Sequence, residues 1–338
     1  MRANETVLRT LLQGEKQFVV PLYQRTYSWK KEQLDRLWQD IMELAETSEI
    51  ENHFLGSLVL APSQTTTASG VQSWLVVDGQ QRLTTLSILL CAIRDCATEI
   101  NPQLARKIHV QYLTNEFASG RELYKLLPTQ ADRPAWEAVV NKSPGAGGED
   151  KIGNAYRFFR GNLERLHTES ENGFEAVLLV EKTVTSRLSF VEISAHVGDN
   201  VYRIFESLNN TGLKLTQADL LRNYLFMRLP NRSESVYQQH WLPLQKLLDE
   251  QGLVDLIWLD LILKGNRSAT QRSIYEEQHR FLENLNDEDR IEEWVISLYH
   301  KARIFRRVLV PAEEPNSIIR EALDRLRRWK AKVVQPVA

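Results

Sequence analysis

Residues 74–86 read WLVVDGQQRLTTL, an apolar run followed by a polar turn and a second apolar pattern. Trp74 to Val77 have the aromatic and β-branched composition of a short strand. From Leu83 to Ile93 the apolar side chains recur every three or four residues, which is the spacing of one helix face. The segment therefore predicts a strand–turn–helix junction with polar residues at the start of the helix.

Elements predicted on either side of this junction define the fold class. Apolar runs predict strands at residues 54–60 and 186–193, and the Pro/Gly/Ser-rich residues 143–150 predict a loop. Ser28 is the predicted N-cap of a helix with one apolar stripe, and residues 233–332 read almost entirely as amphipathic helix. The expected fold class is α+β, a small α/β core followed by a mostly α-helical region.

The length of 338 residues predicts more than one domain, because domains run to roughly 100–200 residues. Residues 1–145 are predicted to form the α/β core, residues 146–232 to complete it, and residues 233–338 to form a helical domain. The last residues read VVQPVA, an apolar end without a helix-stop signal. We therefore expect either a truncated sequence or a subunit whose function continues on another chain.

Composition excludes several classes of protein. The chain has 43 % hydrophobic and 25 % charged residues, which are ordinary values for a globular protein and exclude intrinsic disorder. No apolar run reaches the ~20 residues that a membrane-spanning helix needs, and the N-terminus lacks the apolar core of a signal peptide. Two cysteines are too few for a disulfide scaffold or a zinc site. We expect a cytoplasmic protein without a membrane partner.

Charge is unevenly distributed along the chain. The whole sequence has 42 Lys+Arg and 44 Asp+Glu, whereas residues 301–338 hold ten Lys/Arg and four Asp/Glu, a net charge of +6. A basic segment of this kind can contact nucleic-acid phosphates. A solvated helix face has the same composition, so both interpretations stay open.

The polar turn DGQQR, which begins at Asp78, is the strongest candidate site. The first N–H groups of a helix lack intrahelical partners and lie at the positive end of its dipole, which suits phosphate. Gly79 permits an unusual turn, and Arg82 supplies a fork of donors for phosphate oxygens. Asp78 can hold Mg²⁺, while the amides of Gln80 and Gln81 can orient water or a nucleobase edge. Alternatively, Asp78 only caps the helix and Arg82 only forms a surface ion pair.

A second cluster of candidates reads YQRTYSW and runs from Tyr23 to Trp29. Arg25 precedes a predicted helix N-terminus and is a further candidate phosphate ligand. Tyr23, Tyr27 and Trp29 can stack on a base and are candidates for sensing a DNA modification. The alternative is that Tyr27 and Trp29 fasten the helix to the core.

The third candidate, NNTG at residues 209–212, is a polar turn between two helical patterns. Asn209 and Asn210 can reach a ligand, although Asn210 can equally be a helix C-cap. Thr216 and Asp219 have the spacing of a capping box. The seven histidines are dispersed without an HExxH pattern, and the sequence has no GxSxG or Walker A motif. These absences disfavour zinc enzymes, esterases and P-loop proteins.

Four motifs occur together in a fixed order. They are PLYQRTYSW at residues 21–29, HFLGS at 53–57, DGQQRLTT at 78–85 and FESLNNTGLKL at 205–215. In this combination the chain resembles the N-terminal domain family of GmrSD-type, modification-dependent restriction systems over residues 5–230. The DGQQR motif is also similar to the GERR box of ParB-type CTPases, which implies a ParB-like nucleotide-binding core.

The resemblance implies a nucleoside triphosphatase that couples hydrolysis to the sensing of modified DNA, with Mg²⁺ as cofactor. Family members target foreign DNA with modifications such as glucosylated hydroxymethylcytosine or phosphorothioate, which an HNH nuclease domain or subunit cuts. No nuclease motif was found in this sequence, so modified DNA and that nuclease are the implied partners, and a homo-oligomer stays open.

Carried over by motif, the resemblance also implies the roles of individual residues. The implied catalytic residues are Asp78, Gln80, Gln81 and Arg82, with Asp78 holding Mg²⁺. The implied nucleotide-binding residues are Gln24, Arg25, Gly79, Thr84, Asn209, Asn210 and Gly212.

Two other functions stay open on the sequence alone. One is a nucleotide-gated DNA-binding switch without significant turnover, and the other is an interaction subunit in which the motifs are structural. The sequence does not distinguish among GTP, ATP and CTP.

Overall fold

A computed structural model describes most of the chain. The described parts are residues 2–22, 24–47, 52–63, 69–195, 216–229, 231–266, 268–285 and 287–328. The chain divides into two compact units, Met1–Phe205 and Glu206–Ala338. The division falls inside the segment 146–232, which the sequence analysis assigned to completion of the core.

Six described strands form a mixed sheet in the first unit. In chain order they are β1 (Arg2–Val7), β2 (Lys16–Val19), β3 (His53–Pro62), β4 (Gln72–Asp78), β5 (Leu126–Leu127) and β6 (Leu188–Ser194). Across the sheet the order is β1-β6-β3-β4-β2-β5. The β1–β6 and β3–β4 pairs are antiparallel, and the other three pairs are parallel. The predicted α+β class is confirmed.

The strands predicted from sequence are the central ones. They correspond to β3, β4 and β6, which lie side by side in the sheet. Their apolar runs are typical of strands that are covered on both faces. In contrast, β1 reads RANETV, is largely exposed and forms one edge of the sheet, so no apolar pattern indicated it.

Helices of the first unit supply the rest of its core. They are α1 (Leu8–Leu12), α2 (Lys31–Glu46), α3 (Gln80–Ile100), α4 (Pro102–Ile108), α5 (Arg133–Val140), α6 (Lys151–Glu169) and α7 (Gly173–Ser186). Helix α3 lies at the centre of this core, because every residue from Leu83 to Arg94 is buried and α4, α6 and α7 pack against it. A helix that is buried all round belongs in the interior.

Helix α2 begins later than the sequence predicted. Lys30 occupies the N-cap position, and the prediction of Ser28 was wrong. The reason is tertiary, because the N–H and Oγ of Ser28 both donate to the side chain of Gln81 on α3.

A buried ion pair fixes the C-terminal end of α5. Arg94 is 1 % exposed, and its Nε and Nη2 donate to the two carboxylate oxygens of Asp95 at 2.8 and 2.9 Å. The same guanidinium donates to the carbonyl groups of Val139 and Val140 at 2.9 and 2.5 Å, and its Nη1 lies 3.1 Å from Nδ1 of His109. The last carbonyls of α5, which have no intrahelical partners, are thereby satisfied.

The contact between Arg94 and His109 predicts a loss of stability in acid. Burial, and then the charges of Arg94 and Lys142, lower the pKa of His109 below its ordinary value of 6.5. The unfolded chain therefore takes up this proton more readily than the folded chain, and the free energy of unfolding falls as the pH drops below about 6.5. Urea unfolding of the wild type and of His109→Gln between pH 7.5 and 5.0 measures this contribution. The variant is expected to show the shallower pH dependence, and equal slopes would contradict the prediction.

The described part of the second unit is helical, as predicted. Its helices are α8 (Gln217–Met227), α9 (Ser233–Val236), α10 (Leu242–Leu247), α11 (Glu250–Leu263), α12 (Ile274–Glu283), α13 (Glu288–Leu309) and α14 (Ser317–Arg328). The predicted capping box of Thr216 and Asp219 is confirmed at the start of α8. Buried Asp260 on α11 accepts from Lys264 and from Lys301 of α13 at 2.7 and 2.5 Å, which fastens α11 to α13.

Candidate functional site

The junction between β4 and α3 is held in its shape by a glycine. Gly79 stands between the two elements with φ +89°, a conformation that L side chains rarely adopt. A Cβ at this position would lie 2.7 Å from Cδ1 of Leu58 and 3.2 Å from the carbonyl oxygen of Ser57. The start of α3 is therefore pressed against β3, and the HFLGS and DGQQR motifs are in direct contact.

A bulge in β3 makes room for the side chain of Arg82. The register between β3 and β6 shifts between Phe54 and Ser57, and Gly56 has φ +109°. A Cβ on Gly56 would overlap the Arg82 guanidinium. Arg82 Nη1 donates to the carbonyl oxygen of Leu55 at 2.7 Å. The bulge thus serves as a seat for one guanidinium group.

The charge of Arg82 is only partly compensated. Its Nη2 lies 3.4 Å from Oδ2 of Asp78, and the Arg82 side chain is 25 % exposed. Burial lowers the pKa of Arg82 below its ordinary value, and the Asp78 carboxylate acts in the opposite direction. The Asp78–Arg82 pair is the surface ion pair that the sequence analysis left open, but it is half-buried at the start of a helix.

The amide of Gln80 connects α3 to the YQRTYSW segment. Gln80 Nε2 donates to Gln24 Oε1 at 3.1 Å and to the carbonyl oxygen of Arg25 at 3.2 Å. Gln24 Nε2 in turn donates to the carbonyl oxygen of Val77 at 2.9 Å. Both glutamines are buried, so they link the end of β4 to the segment that precedes α2.

The amide of Gln81 makes a second set of bonds to the same segment. Its Oε1 accepts from the Ser28 N–H at 2.8 Å, and its Nε2 donates to the carbonyl oxygen of Thr26 at 3.2 Å. We call Gln24, Gln80 and Gln81 the glutamine clamp. The clamp brings together two motifs that are more than 50 residues apart in the sequence.

Replacement of Gln81 by leucine is expected to lower the free energy of unfolding by about 1–3 kcal/mol. The substitution leaves the Ser28 N–H and the Thr26 carbonyl without their side-chain partner, and such groups are costly when they are desolvated. Urea unfolding measures the change. Gln33→Leu is the matched control, because Gln33 accepts an exposed backbone bond from Lys30 at 2.8 Å. A loss in Gln81→Leu no larger than in the control would contradict the prediction.

Tyr27 and Asp132 anchor the middle of the YQRTYSW segment. Tyr27 is 3 % exposed, belongs to the hydrophobic core and bonds Thr85 Oγ1 through its hydroxyl at 2.8 Å. Its N–H donates to Oδ2 of Asp132 at 2.8 Å, an oxygen that also accepts from the Thr129 hydroxyl at 2.6 Å. Tyr27 thus fastens the segment to the core, the alternative left open by the sequence. Its ring is not exposed for the predicted contact with DNA.

A groove of about 230 Å³ opens beside Arg82. It is lined by Trp29, Gln33, Arg36, Leu37, Asp40, Leu55, Arg82 and Leu86. Two arginines, Arg36 on α2 and Arg82 on α3, therefore line one groove together with Trp29, which also packs against the hydrophobic core. Asp40 also lines the groove. Its Oδ2 lies 3.7 Å from Nε2 of His53 at the start of β3.

The remaining predicted residues fall into two groups. Thr84 is buried on α3 behind the junction, and Arg25 is half-buried, with its carbonyl oxygen held by Gln80. Four predicted residues lie outside the described residues, namely Tyr23, Asn209, Asn210 and Gly212.

No group of three or more His, Cys, Asp or Glu side chains in the described residues could hold a metal ion by itself. Mg²⁺ often binds through one or two carboxylates together with substrate phosphates, so a lone Asp78 fits that mode. Among the described helices, none is long and apolar enough to cross a bilayer.

A comparison with protein families identifies the chain. The model of the GmrSD restriction endonuclease N-terminal domain matches residues 8–226, about two thirds of the sequence. The chain belongs to the GmrSD N-terminal domain family. The resemblance drawn from the four motifs is confirmed, and membership associates the chain with restriction systems. No curated protein sequence matches the chain.

Several residues that line the groove or hold the YQRTYSW segment were not identified from the sequence. Arg36 and Asp40 were not singled out, although their i, i+4 spacing places them on one side of α2. Asp132 lies more than 100 residues from the Tyr27 N–H that it binds, so no local pattern could connect them. The spacing on α2 was the one available signal.

Proposed function

We propose that this chain is the nucleotide-hydrolysing sensor domain of a modification-dependent restriction system. In this proposal the domain couples hydrolysis of a nucleoside triphosphate to recognition of modified DNA. The DNA is cleaved by an HNH nuclease domain or partner protein. Membership of the GmrSD N-terminal domain family supports the context, and the geometry around Arg82 supports the nucleotide site.

The observation that carries the proposal is the seat of Arg82. A guanidinium that is largely buried, anchored to the Leu55 carbonyl and beside the N-terminus of α3 is pre-positioned for an anion. Phosphoryl transfer depends mainly on positioning and charge stabilisation, and needs no covalent nucleophile from the protein. A fixed arginine of this kind supplies both.

In this proposal, one set of groove residues contacts the phosphates of the nucleotide and another contacts its base or sugar. Arg36 and Arg82 would bind phosphate oxygens, and Trp29 offers an aromatic face to the base or the sugar. The volume of about 230 Å³ is below the roughly 300–1,000 Å³ of cavities that enclose a drug-sized ligand. The groove therefore accommodates part of a nucleotide, and other implied nucleotide-binding residues, Asn209, Asn210 and Gly212, lie outside the described residues.

Asp78 is the residue proposed to hold Mg²⁺ together with the phosphates. The cation would neutralise charge that develops on the phosphate oxygens. The carboxylate is half-buried and lies 3.4 Å from Nη2 of Arg82, so it also helps to hold that guanidinium in place. Gln80 and Gln81 are proposed as positioning residues, because their amides bind the segment from Gln24 to Ser28.

Phosphate release from GTP, ATP and CTP tests the proposal. It is measured with Mg²⁺ on the chain, with and without DNA that carries glucosylated hydroxymethylcytosine, and with unmodified DNA as the control. Turnover that modified DNA stimulates is the expected result. A chain that neither binds nor hydrolyses any of the three nucleotides would overturn it.

The glutamine clamp favours one second candidate, a nucleotide-gated switch without significant turnover. The amides that could orient an attacking water are already bonded to backbone groups of residues 25–28. Under this alternative, nucleotide binding tightens the clamp and promotes DNA binding. A non-hydrolysable analogue would then support full DNA binding, and phosphate release would stay at background.

A further inference from the structure

A second cavity lies at the opposite end of β4 from Asp78. Its volume is about 390 Å³, and Gly14, Glu15 and Val71 line it where β2 and the parallel β4 begin. Strand β4 has seven residues, which extend over about 20 Å. The cavity is therefore separate from the groove beside Arg82.

A buried ammonium group lies in the wall of this cavity. Lys125 is 3 % exposed, and its Nζ donates to the carbonyl oxygen of Gly14 at 2.5 Å and to Oδ1 of Asn115 at 3.1 Å. Asn115 is itself fixed, because its Nδ2 donates to the carbonyl oxygens of Lys16 and Glu122 at 3.1 and 2.9 Å. An ammonium has three N–H donors, so one remains for a ligand.

The charge of Lys125 has no close counterion in the described part of the chain. Both of its hydrogen-bond acceptors are neutral oxygens. Burial, and then the like charge of Lys16, lower the pKa of Lys125 to about 8, and the charge of Glu15, which also lines the cavity, opposes this. Buried ammonium groups are ordinarily paired, whereas Lys125 is held by neutral oxygens, so its remaining N–H can still donate to an anionic group.

The other residues that line the cavity indicate the chemistry of the part of the ligand that does not contact Lys125. Val71 and Val110 give an apolar surface, and the ring of Phe117 is 89 % exposed at the rim. An exposed phenyl ring gains from stacking on a planar group. Glu15 and Glu116 also line the cavity, and these carboxylates disfavour a polyanion such as a nucleic-acid backbone.

We propose that the Lys125 cavity binds a small molecule that joins one carboxylate or phosphate group to an apolar, planar body. The anionic group accepts from Nζ of Lys125, and the planar body lies against Phe117. This site is independent of the proposed nucleotide groove and gives the domain a second ligand.

Sodium benzoate and inorganic phosphate are the probes, and their saturable binding is measured by titration calorimetry and by the rise in unfolding temperature. Binding of benzoate alone indicates a carboxylate ligand, and binding of phosphate, alone or as well, indicates that the site accepts a phosphate group. Lys125→Met is expected to weaken binding at least tenfold, whereas Lys16→Met, which removes a neighbouring charge, changes it less than threefold. Failure of both probes to bind, or equal binding by Lys125→Met, would overturn the proposal.

Two further measurements do not depend on the folding of Lys125→Met. Phe117→Ala alters an exposed side chain, and we expect it to weaken benzoate at least threefold without changing phosphate. In the wild type, the acetylation rate of Lys125 by acetic anhydride is followed by peptide mass spectrometry. Benzoate or phosphate is expected to slow it, and an unchanged rate with both anions would contradict binding at this amine.

Discussion

Arg82→Ala is expected to reduce nucleotide hydrolysis by about 10²–10³-fold, the usual loss when one pre-positioned donor to a developing charge is removed. The alanine removes the group that the bulge in β3 seats against the Leu55 carbonyl. Phosphate release from GTP, ATP and CTP at saturating nucleotide measures the loss. Should the wild type bind nucleotide without turnover, the same loss is expected in affinity, through the charge-assisted bonds that disappear.

The controls for this variant separate chemistry from folding. Arg82→Lys keeps the charge but not the fork of donors, so an intermediate rate is expected. Arg82→Ala also leaves the Leu55 carbonyl unpaired, which costs about 1–2 kcal/mol of stability and is measured by urea unfolding. A folded Arg82→Ala protein with wild-type hydrolysis and affinity would refute a phosphate-binding role for this arginine.

Gly56→Ala is expected to resemble Arg82→Ala in function although it adds only one methyl group. The new Cβ would occupy the position of the Arg82 guanidinium. The arginine is the more flexible partner, so it would leave its seat and lose the bond to the Leu55 carbonyl. We expect at least a tenfold loss of nucleotide affinity or hydrolysis, together with about 1–3 kcal/mol of backbone strain from the positive φ.

Gly70→Ala is the matched control for Gly56→Ala. Gly70 also has a positive φ, +79°, but a Cβ there meets no atom within 4 Å. It should lower stability through backbone strain and leave nucleotide binding intact. If both variants lose nucleotide binding equally, strain alone explains the effect and the seat of Arg82 is not its cause.

The sequence predicted the central strands and α3 because burial leaves a strong pattern. Strands β3, β4 and β6 and the interior helix each contain a run or stripe of apolar residues, and this pattern reflects their burial. Edge strand β1 has no such pattern, since polar residues face solvent on both of its sides. Prediction therefore succeeded for the longer covered elements and missed the two-residue buried strand β5.

The candidate site was predicted only in part, for reasons that lie in tertiary contacts. The amides of Gln80 and Gln81 were expected to orient water or a nucleobase edge. They are buried, and their partners include backbone groups far away in the sequence. That motifs 21–29, 53–57 and 78–85 belong together came from the family resemblance rather than from spacing. Arg36 was not identified because charged residues on the polar face of a helix are usually only solvated.

The position of β6 in the sheet bears on how the chain is made. Strand β6 lies between β1 and β3, and residue 2 pairs with residue 194. A ribosome adds about 5–20 residues per second, so β6 is synthesised many seconds after β1. During that interval β3 and β4 can pair with each other, but β3 still exposes the edge that β6 will cover. Strand β1 is less prone to aggregate during this interval, because polar and charged strands resist pairing with other chains.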